Sequence, residues 1–383
     1  METYLVGGAV RDQLLQLPVQ ERDWVVVGAT PQQMLDLGYK PVGKDFPVFL
    51  HPETGEEYAL ARTERKSGHG YKGFQVQASP EVTLEQDLLR RDLTINAMAL
   101  DGNGQLIDPY DGEEDLRNGL LRHVSPAFVE DPVRILRVAR FAARFRRWGF
   151  HLAHDTLALM RTMVQDGEVD YLVPERVWAE LAKTLQTDRP AQFFKVLHSC
   201  GALAVLFPEL EPLFGTTEEG HGEAKTDALR RFDRAAELDA LEARFALLGW
   251  ILAAVRGAEA AAADLEALCA RARIPNEYRD LAVLVARHGT DLDACLEQSP
   301  DAIMALLEAC DALRRPERFA RALRVCRVAH KDAWPQEDYL LRCLTAAAAV
   351  NAAGLVARGL KGPEVGQALQ GLRVEAIAKV AQP

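Results

Sequence analysis

The chain begins METYLVGGAVRDQLLQLPVQERD, residues 1–23, and this stretch decides how the rest of it is interpreted. Tyr4–Val6 is a short apolar run that predicts a strand, and Gly7-Gly8 joins it to a helical pattern that contains Arg11. Glycine lets the backbone approach a bound group, and the free N–H groups at a helix start bind phosphate. We therefore expect Gly8 and Arg11 in a phosphate-binding turn, with an ordinary surface turn as the alternative.

Two acids, Glu21 and Asp23, precede the β-rich run Trp24–Gly28. Side chains two residues apart on a strand point to the same face, so the two carboxylates are expected to point together. Paired carboxylates beside a phosphate-binding turn can hold a magnesium ion for phosphoryl transfer. From this stretch alone, two solvated acids before a buried strand explain the pattern equally well.

Composition limits the class of protein. A chain of 383 residues is too long for one core, which predicts two or more domains. We expect no signal peptide and no membrane span, because Met1 leads into the first strand and no apolar run reaches the ~18 residues of a spanning helix. The formal net charge of −11 argues against a nucleic-acid partner unless basic residues cluster locally.

The six cysteines contain no Cys-x-x-Cys pair and all lie in the second half of the chain. This pattern predicts small buried thiols in a reducing cytoplasm and no zinc site. The positions are Cys200, Cys269, Cys295, Cys310, Cys326 and Cys343.

The first third carries signals for both strands and helices. Thr30 and Pro31 form a helix start, and the helix is expected to run to about Leu37. Further strands are predicted at 47–51 and 58–62. The sequence KSGHGYKG, Lys66–Gly73, has three glycines and no apolar periodicity, and it predicts a mobile loop.

Beyond about Asp115 the pattern is helical to the end of the chain. Candidate domain boundaries lie at Ser125-Pro126, at Phe207-Pro208 and at 216–223. A short, mildly charged helix is expected at the C-terminus, from Val374 to Val380.

A second charged cluster lies in LLRRDLTINAMAL, residues 88–100, which has a mostly helical pattern. On a helix, Asp92 and Asn96 would share a face and could hold a ribose hydroxyl. The adjacent Arg90 and Arg91 could clamp a triphosphate by bidentate contacts. A solvated helical charge cluster is the alternative.

A third cluster, EDPVRILRVARFAAR at 130–144, opens with acids and proline, as helix starts do. At about 100° per residue its four arginines form one stripe, opposite an apolar face. They are Arg134, Arg137, Arg140 and Arg144. The nearby sequence supplies only Glu130 and Asp131 as counter-charges, so a polyanion site is favoured over an interdomain salt-bridge seam.

Five motifs occur in order, and together they resemble the class II tRNA nucleotidyltransferases, the CCA-adding enzymes of bacteria. They are LVGGAVRD (5–12), ERD (21–23), RRDLTINAMA (90–99), EDPVRILRVARF (130–141) and PERVWAE (174–180). The resemblance is dense to about residue 210 and continues thinly to GLKGP at 359–363.

The resemblance implies an α+β protein, with a small mixed α/β nucleotidyltransferase head at 1–125 and an all-helical remainder. The neck at 126–205 would recognise the nucleotide base, and the body and tail at 206–383 would bind tRNA. The implied reaction adds C, C and A to the tRNA 3′ end from CTP and ATP without a template and releases pyrophosphate. Mg²⁺ is the implied cofactor, and the cytoplasm is the expected location.

The resemblance also assigns roles to matching positions. Glu21 and Asp23 would hold magnesium, and Gly8 and Arg11 would bind the nucleotide phosphates. Arg91 would contact the triphosphate. Asp92 would contact the ribose, and Asp131 and Arg134 would read the base. Arg137 and Arg140 would complete the nucleotide site. Residues 174–180 would brace the helix that carries the base-reading residues.

Two departures from the family pattern matter. Most relatives have aspartate where this chain has Glu21. Close relatives also carry a phosphohydrolase domain whose His-Asp pair follows a segment like Ala243–Ala246, but here that place reads Leu247–Ile251, LLGWI. The dipeptide His154-Asp155 lies elsewhere and is expected to cap a helix starting at Thr156. We therefore expect no phosphohydrolase activity on 2′,3′-cyclic nucleotides.

Three alternatives stay open. A poly(A) polymerase has the same head and neck, although such enzymes usually carry a long basic C-terminal extension that this chain lacks. A partial enzyme that adds only CC or only A has the same motifs. A non-catalytic RNA-binding protein is the alternative from another class, and the intact acids and arginines speak against it.

Overall fold

The computed structural model describes residues 1–42, 48–66, 74–214, 229–330, 332–353, 355 and 361–382. Apart from Lys66, the loop expected at Lys66–Gly73 lies outside the described residues, as does the boundary expected at 216–223. The chain divides into two compact units, the first made of Met1–Leu181 and Gln192–Leu206 and the second of Ala182–Ala191 and Phe207–Pro383. The division into head, neck and body stays a prediction.

Nine of the described strands lie before residue 110, in the mixed first third, and two short ones lie at 120–121 and 151–152, so the prediction of a purely helical chain beyond about Asp115 is wrong there. The strands are β1 (Glu2–Val6), β2 (Asp23–Val27), β3 (Lys40–Val42), β4 (Val48–Leu50), β5 (Glu57–Leu60), β6 (Arg62–Lys66), β7 (Phe74–Ala78), β8 (Ala99–Leu100), β9 (Leu106–Ile107), β10 (Leu120–Leu121) and β11 (His151–Leu152).

Seven of these strands form one sheet in the order β3-β4-β5-β2-β1-β8-β9. β1 and β2 are antiparallel with Tyr4 opposite Val25, and β2 is parallel to β5 with Val25 beside Ala59. Consecutive side chains of β2 enter different cores, Val25 on one face and Val26 on the other. The sheet is therefore buried on both faces in its centre, which fixes the register of the strand that begins at Asp23.

The α-helices of the first 206 residues are interspersed with these strands or follow them. They are α1 (Gly8–Leu14), α2 (Pro31–Asp36), α3 (Leu84–Leu89), α4 (Gly112–Asn118), α5 (Val133–Phe145), α6 (His154–Gln165), α7 (Pro174–Leu185), α8 (Ala191–Cys200) and α9 (Ala202–Leu206). Short 3₁₀ helices occupy Thr94–Asn96, Pro126–Glu130, Arg146–Trp148 and Glu168–Tyr171. The predicted start of α2 is confirmed, since Thr30 and Gln33 form a reciprocal capping box.

Two predicted helices are corrected. Residues 88–100 are not one helix, because α3 ends at Leu89 and a 3₁₀ turn and strand β8 follow. The C-terminal helix spans Pro363–Ala378 and is longer than predicted.

The second unit is helical throughout its described residues. Its α-helices are Leu241–Arg256, Ala258–Arg271, Asn276–Asp293, Pro300–Ala309, Pro316–Ala329, Gln336–Ala349 and Pro363–Ala378, with 3₁₀ helices at Pro208–Leu213, Asp233–Glu237 and Cys295–Glu297. All six cysteines are buried and unpaired, and burial raises the pKa of the Cys269 thiol to about 12. None of the helices described here is long and apolar enough to cross a membrane.

Helices Leu241–Arg256 and Asn276–Asp293 approach closely at Gly249. A Cβ on Gly249 would overlap the carbonyl oxygen of Ala282 and lie 3.3 Å from a Leu265 methyl group. This close approach requires glycine in the middle of a buried helix, where glycine is otherwise disfavoured.

Replacing Gly249 with alanine should therefore lower the unfolding free energy by ~1–3 kcal/mol, the usual cost of overpacking. Gly371→Ala is the matched control, because a Cβ there meets nothing within 4 Å and the change should stabilise the helix by up to ~1 kcal/mol. Urea denaturation of both variants measures the two effects. Stabilisation by both substitutions would contradict the close contact.

Candidate active site

The turn between β1 and α1 is shaped around an arginine. Gly7 has φ +70°, and a Cβ on it would lie 2.7 Å from Nη1 of Arg91, so only glycine admits the guanidinium group there. Arg91 donates from Nη1 to the Asn96 carbonyl oxygen at 3.4 Å and from Nη2 to Asp87 at 3.3 Å. The structure thus brings the glycine turn, with Gly8 at the start of α1, together with Arg91 as predicted from sequence.

Arg11 of α1 is a buried charged residue. Arg11 is only 2% exposed. Its guanidinium group lies 5.2 Å from the ring centre of Phe141 and 5.1 Å from that of Phe145. It donates to Asp12 from Nε at 2.9 Å and from Nη2 at 2.8 Å, and Nη1 donates to the side-chain oxygen of Asn96. Arg11 is therefore enclosed among protein groups, and its contact with the nucleotide phosphates stays a prediction.

Asp92 and Asn96 meet as predicted, although not on a helix. Asn96 Nδ2 donates to Asp92 Oδ1 at 2.9 Å across the 3₁₀ turn, and Arg137 Nε donates to Asp92 Oδ2 at 2.7 Å. Asp92 is 5% exposed. Burial alone would raise its pKa, but the charge of Arg137 and the hydrogen bonds from Asn96 and Arg137 hold the pKa of this carboxyl well below its usual range.

Glu21 and Asp23 do not share a strand. β2 begins at Asp23, and Glu21 lies in the irregular segment before it, so the argument from strand alternation is wrong for Glu21. The two acids are nevertheless neighbours. Partial desolvation raises the pKa of Asp23 most and the charge of Glu21 raises it further, while Arg91 and Arg137 act in the opposite direction. Asp23 therefore lies within electrostatic reach of one other acid, Glu21, and of two arginines, Arg91 and Arg137.

The arginine face of α5 is matched by carboxylates from distant parts of the sequence. Arg137 pairs with Asp92 at 2.7 Å, Arg140 with Glu180 at 2.6 Å and Arg144 with Asp12 at 2.8 Å. Glu130 and Asp131 are the only acids close to these arginines in sequence, and the fold adds Asp12 from α1, Asp92 from the segment after α3 and Glu180 from α7. Much of the stripe therefore belongs to salt bridges within the first unit.

Asp131 and Arg134 lie at the start of α5, as predicted. Asp131 Oδ1 accepts from the Val133 N–H at 3.1 Å, and its carboxylate holds Arg176 by two hydrogen bonds of 3.1 and 2.7 Å. Arg134 is buried and donates to the carbonyl oxygens of Ala127 at 2.8 Å and Arg90 at 2.6 Å. Both side chains are held in place by neighbouring groups.

Helix α7 braces α5, as the sequence led us to expect. Arg176 and Glu180 lie four residues apart on α7 and contact Asp131 and Arg140 respectively. Residues four apart share a helix face, so one face of α7 holds both the segment just before α5 and the third turn of α5.

Sequence reasoning missed two buried acids. Asp87 is fully buried and binds Arg90 at 2.7 Å and Arg91 at 3.3 Å, contacts that lower its pKa despite the opposing effect of burial. Its spacing of three and four residues from the arginines was the available signal. Asp12 joins Arg11 to Arg144, and no local pattern distinguishes it from a surface acid.

The place expected for a phosphohydrolase site is apolar. Leu247, Leu248, Gly249 and Ile251 are buried within Leu241–Arg256. The dipeptide His154-Asp155 lies within the first turn of α6 and does not cap it from outside, and Asp155 pairs with Arg122 at 3.3 Å. Among the described residues, no group of three or more His, Cys, Asp or Glu side chains is arranged to hold a metal ion.

Two family profiles match parts of the chain. The profile described as the poly A polymerase head domain matches residues 3–122. The profile described as the probable RNA and SrmB-binding site of polymerase A matches residues 149–214.

Similar proteins extend over the whole length. The chain is 56% identical to the multifunctional CCA protein of Thioalkalivibrio sulfidiphilus, with 99% of this chain and 98% of that protein covered. It is 51% identical to the multifunctional CCA protein of Chromobacterium violaceum, with coverage of 99% and 98%. The Bacillus stearothermophilus CCA-adding enzyme in complex with CTP is similar in structure, with a TM-score of 0.69, 26% identity, and 98% of this chain and 88% of that chain covered.

The buried pair of Asp92 and Arg137 gives the first unit a defined response to acid. Asp92→Asn should lower the unfolding free energy at pH 7 by ~1–3 kcal/mol, the range for a hydrogen bond to a charged group. Because the folded pKa of Asp92 is lowered, its stabilisation is present above the unfolded pKa of about 3.9 and is lost as pH falls through the folded pKa. Urea titrations should show a constant difference from wild type between about pH 7 and 5 and a shrinking one below about pH 4. A difference that does not depend on pH would contradict the ionised pair.

Proposed function

This chain belongs to the class II CCA-adding enzymes of bacteria, and from that premise we propose that Glu21 and Asp23 hold a magnesium ion at the centre of its reaction. The enzyme adds C, C and A to the 3′ end of tRNA. In each cycle the tRNA 3′-hydroxyl forms a bond to the α-phosphorus of CTP or ATP, the bond between the α- and β-phosphates breaks, and pyrophosphate leaves. The full-length relatives favour this reaction over poly(A) synthesis.

The observation that carries the residue assignment is the surroundings of Asp23. Its carboxylate lies at the start of β2 beside Glu21, within electrostatic reach of Arg91 and Arg137. Arg91 in turn lies against the Gly7 turn. One place thus offers acids for a cation, guanidinium groups for phosphates and a glycine turn that a nucleotide can approach.

Glu21 and Asp23 fit a magnesium ion by ligand type and by charge. Mg²⁺ at nucleotide sites is held by one or two carboxylates, while substrate phosphates and water supply the other ligands. Burial raises the pKa of Asp23 most and repulsion by Glu21 raises it further, and a bound cation would relieve that repulsion. When bound, the ion would polarise the triphosphate toward attack by the 3′-hydroxyl.

Arg91 is the proposed principal phosphate ligand of the protein. It lies against the Gly7 turn and its buried Nε has no hydrogen-bond partner among the described residues, so it retains donor capacity for a ligand. Arg137 remains partly exposed while it holds Asp92, and is therefore the proposed second contact to the nucleotide. Gly8 and Arg140 complete the proposed site, and Asp92 is the proposed ribose contact.

Arg11 is proposed to act on this site through its neighbours. Its two hydrogen-bonded partners are Asn96, which holds Asp92, and Asp12, which holds Arg144. Arg11 therefore positions the ribose contact and the end of α5, and a phosphate does not need to reach it.

Base selection is proposed to rest on Asp131 and Arg134. Cytosine and adenine both present an amino donor beside a ring-nitrogen acceptor, which a carboxylate and a guanidinium can match. Uracil and guanine present a keto oxygen where the amino group should be, so Asp131 would face another acceptor. Arg176 holds the Asp131 carboxylate by two hydrogen bonds, which keeps it from rotating to suit the wrong base.

The remaining assignments concern the rest of the chain. We propose that residues 126–205 act as the neck that recognises the nucleotide and that 206–383 contribute the body and tail that bind tRNA. Six unpaired, buried thiols favour a reducing compartment, and we propose the cytoplasm.

Asp23→Ala should reduce CTP and ATP incorporation into tRNA lacking its CCA end by at least a thousandfold, because one of two proposed metal ligands is lost. Glu21→Asp should remain active, since most relatives use the shorter acid. Binding of Mn²⁺ as a spectroscopic probe should be lost in Asp23→Ala and kept in Glu21→Asp, with unchanged melting temperatures as the control for folding. Near-normal activity of Asp23→Ala would show that the metal is held elsewhere.

Asp131→Ala should relax the exclusion of UTP most, because the repelling carboxylate is removed. A good bidentate base contact is worth ~1–3 kcal/mol, or roughly 5- to 150-fold in discrimination. Steady-state kcat/KM for CTP and UTP measures the ratio, and Asp155→Ala, an acid of the same unit that pairs with Arg122, is the control. Full discrimination against UTP in Asp131→Ala would place base recognition on other residues.

A further inference from the structure

Asp87, in the last turn of α3, is a fully buried acid that holds two consecutive arginines. Its Oδ1 atom accepts from the Arg62 N–H at 3.3 Å and from Nε and Nη2 of Arg90 at 3.1 and 2.7 Å. Its Oδ2 atom accepts from Nη2 of Arg91 at 3.3 Å. A carboxylate is kept ionised in such a place only by partners of this kind, so its contacts are strongly constrained.

The contact through Oδ2 leads to the phosphate side of the proposed nucleotide site. Arg91 is the proposed phosphate ligand, and its Nη1 atom lies against the Gly7 turn, where a Cβ would be 2.7 Å away. The same atom donates to the Asn96 carbonyl oxygen at 3.4 Å, while Nη2 is held by Asp87. A free arginine side chain has many rotamers, and Asp87 restricts them before a ligand binds.

The contact through Oδ1 leads to the base side of the same site. Besides its bonds to Asp87, Arg90 donates from Nε to the Arg62 carbonyl oxygen at 3.1 Å, so its side chain is fixed at both places. The carbonyl oxygen of Arg90 accepts from Nη2 of Arg134 at 2.6 Å, and Nη1 of Arg134 donates to the Ala127 carbonyl oxygen at 2.8 Å. The backbone at residue 90 is thus one of the acceptors that orient the proposed base-reading guanidinium.

We propose that Asp87 is a positioning residue for nucleotide binding, whose carboxylate orients Arg91 toward the triphosphate and, through Arg90, orients Arg134 toward the base. The inference rests on the proposed function of Arg91 and Arg134, and Asp87 itself touches neither substrate nor metal. Because one buried group holds both contacts, it fixes the distance between them. A displacement of about 1 Å at such contacts can lower activity by roughly 100-fold.

Positioning can be separated from simple attraction by the sign of the effect. One carboxylate faces two guanidinium groups, so Asp87→Asn leaves both positive charges uncompensated. More positive charge alone would strengthen the binding of an anion. Positioning predicts the opposite. The asparagine oxygen can replace Oδ1 and keep the bonds to Arg62 and Arg90, which turns its N–H₂ group toward Nη2 of Arg91, and two donors then face each other.

Asp87→Asn should therefore weaken the binding of CTP and of inorganic pyrophosphate alike by roughly tenfold, the scale of one hydrogen bond to a charged group. Selectivity for CTP over UTP should stay near the wild-type value, because the contact through Arg90 is kept. Calorimetric titration measures both affinities, and kcat/KM for CTP and UTP gives the selectivity. Asp115→Asn is the matched control, since Asp115 is a buried acid of the same unit that pairs with Arg122 at 3.1 Å, and both affinities should be unchanged.

Arg90→Gln tests the base side and leaves the pair of Asp87 with Arg91 in place. Loosening the backbone at residue 90 should lower the selectivity for CTP over UTP by about threefold or more, part of what a bidentate base contact is worth. Pyrophosphate affinity should stay near the wild-type value. A general loss of stability would lower both quantities in both variants, so the opposite patterns identify positioning.

A double-mutant cycle measures whether Asp87 acts through Arg91. Pyrophosphate binding is already weakened in Arg91→Gln, and adding Asp87→Asn should weaken it by less than about twofold more, because the side chain that Asp87 orients is gone. A further tenfold loss would show that Asp87 acts by another route. If Asp87→Asn melts below the assay temperature, the selectivity of Arg90→Gln decides the question.

Tighter or unchanged pyrophosphate binding in Asp87→Asn, an equal loss in Asp115→Asn, or wild-type selectivity in Arg90→Gln would overturn the proposal. The binding measurements need no turnover. Retained incorporation in Asp23→Ala, alongside weakened pyrophosphate binding in Asp87→Asn, would therefore overturn the proposed metal assignment and leave the role of Asp87 in place.

Discussion

The ion pair between Asp92 and Arg137 is the contact on which the nucleotide site depends. It joins the segment after α3 to helix α5, and the Asp92 carboxylate is almost completely buried. A charge in such a place is tolerated only when it is paired and hydrogen-bonded, because leaving it alone costs several kcal/mol. The pair therefore requires Asn96 behind it, and Asn96 in turn is held by Arg11.

The polar contacts form a closed circuit that begins and ends on α5. Its members, in order, are Arg137, Asp92, Asn96, Arg11, Asp12 and Arg144. Arg137 and Arg144 are two helical turns apart and lie on the same face, so the circuit fixes both the position and the rotation of the helix. A fully satisfied polar network of this kind is rigid, and removing Asp92 would take a hydrogen-bond partner from both Asn96 and Arg137. The rotation of α5 matters for the proposed base recognition because Arg134 lies in its first turn and Asp131, which Arg176 of α7 holds, lies just before it.

The distribution of charge around α5 also explains how a chain with a net negative charge can act on RNA. Positive charge is concentrated between residues 132 and 154, and three of the six arginines there pair with acids that the fold supplies. What stays at the surface is the end of the helix, where a tryptophan and two arginines lie together. Net charge is therefore a poor guide to the partner, since the field at one surface depends on local groups within about a Debye length.

The family resemblance carried by the sequence motifs implied the α+β class and a nucleotide site with the glycine turn and Arg91, and short-range spacing predicted the start of α5 and the meeting of Asp92 with Asn96. Sequence reasoning gave the wrong reason for Asn96, which lies on a 3₁₀ turn, and for Glu21, which precedes the strand. Only the tertiary structure decided that Arg11 is buried and that the arginines of α5 find carboxylates at Asp12, Asp92 and Glu180. Those partners lie 40 to 132 residues away in the chain, and no periodicity reports a contact at such distance. Whether a charged side chain faces solvent or a buried partner is set by packing, and packing is a property of the folded chain.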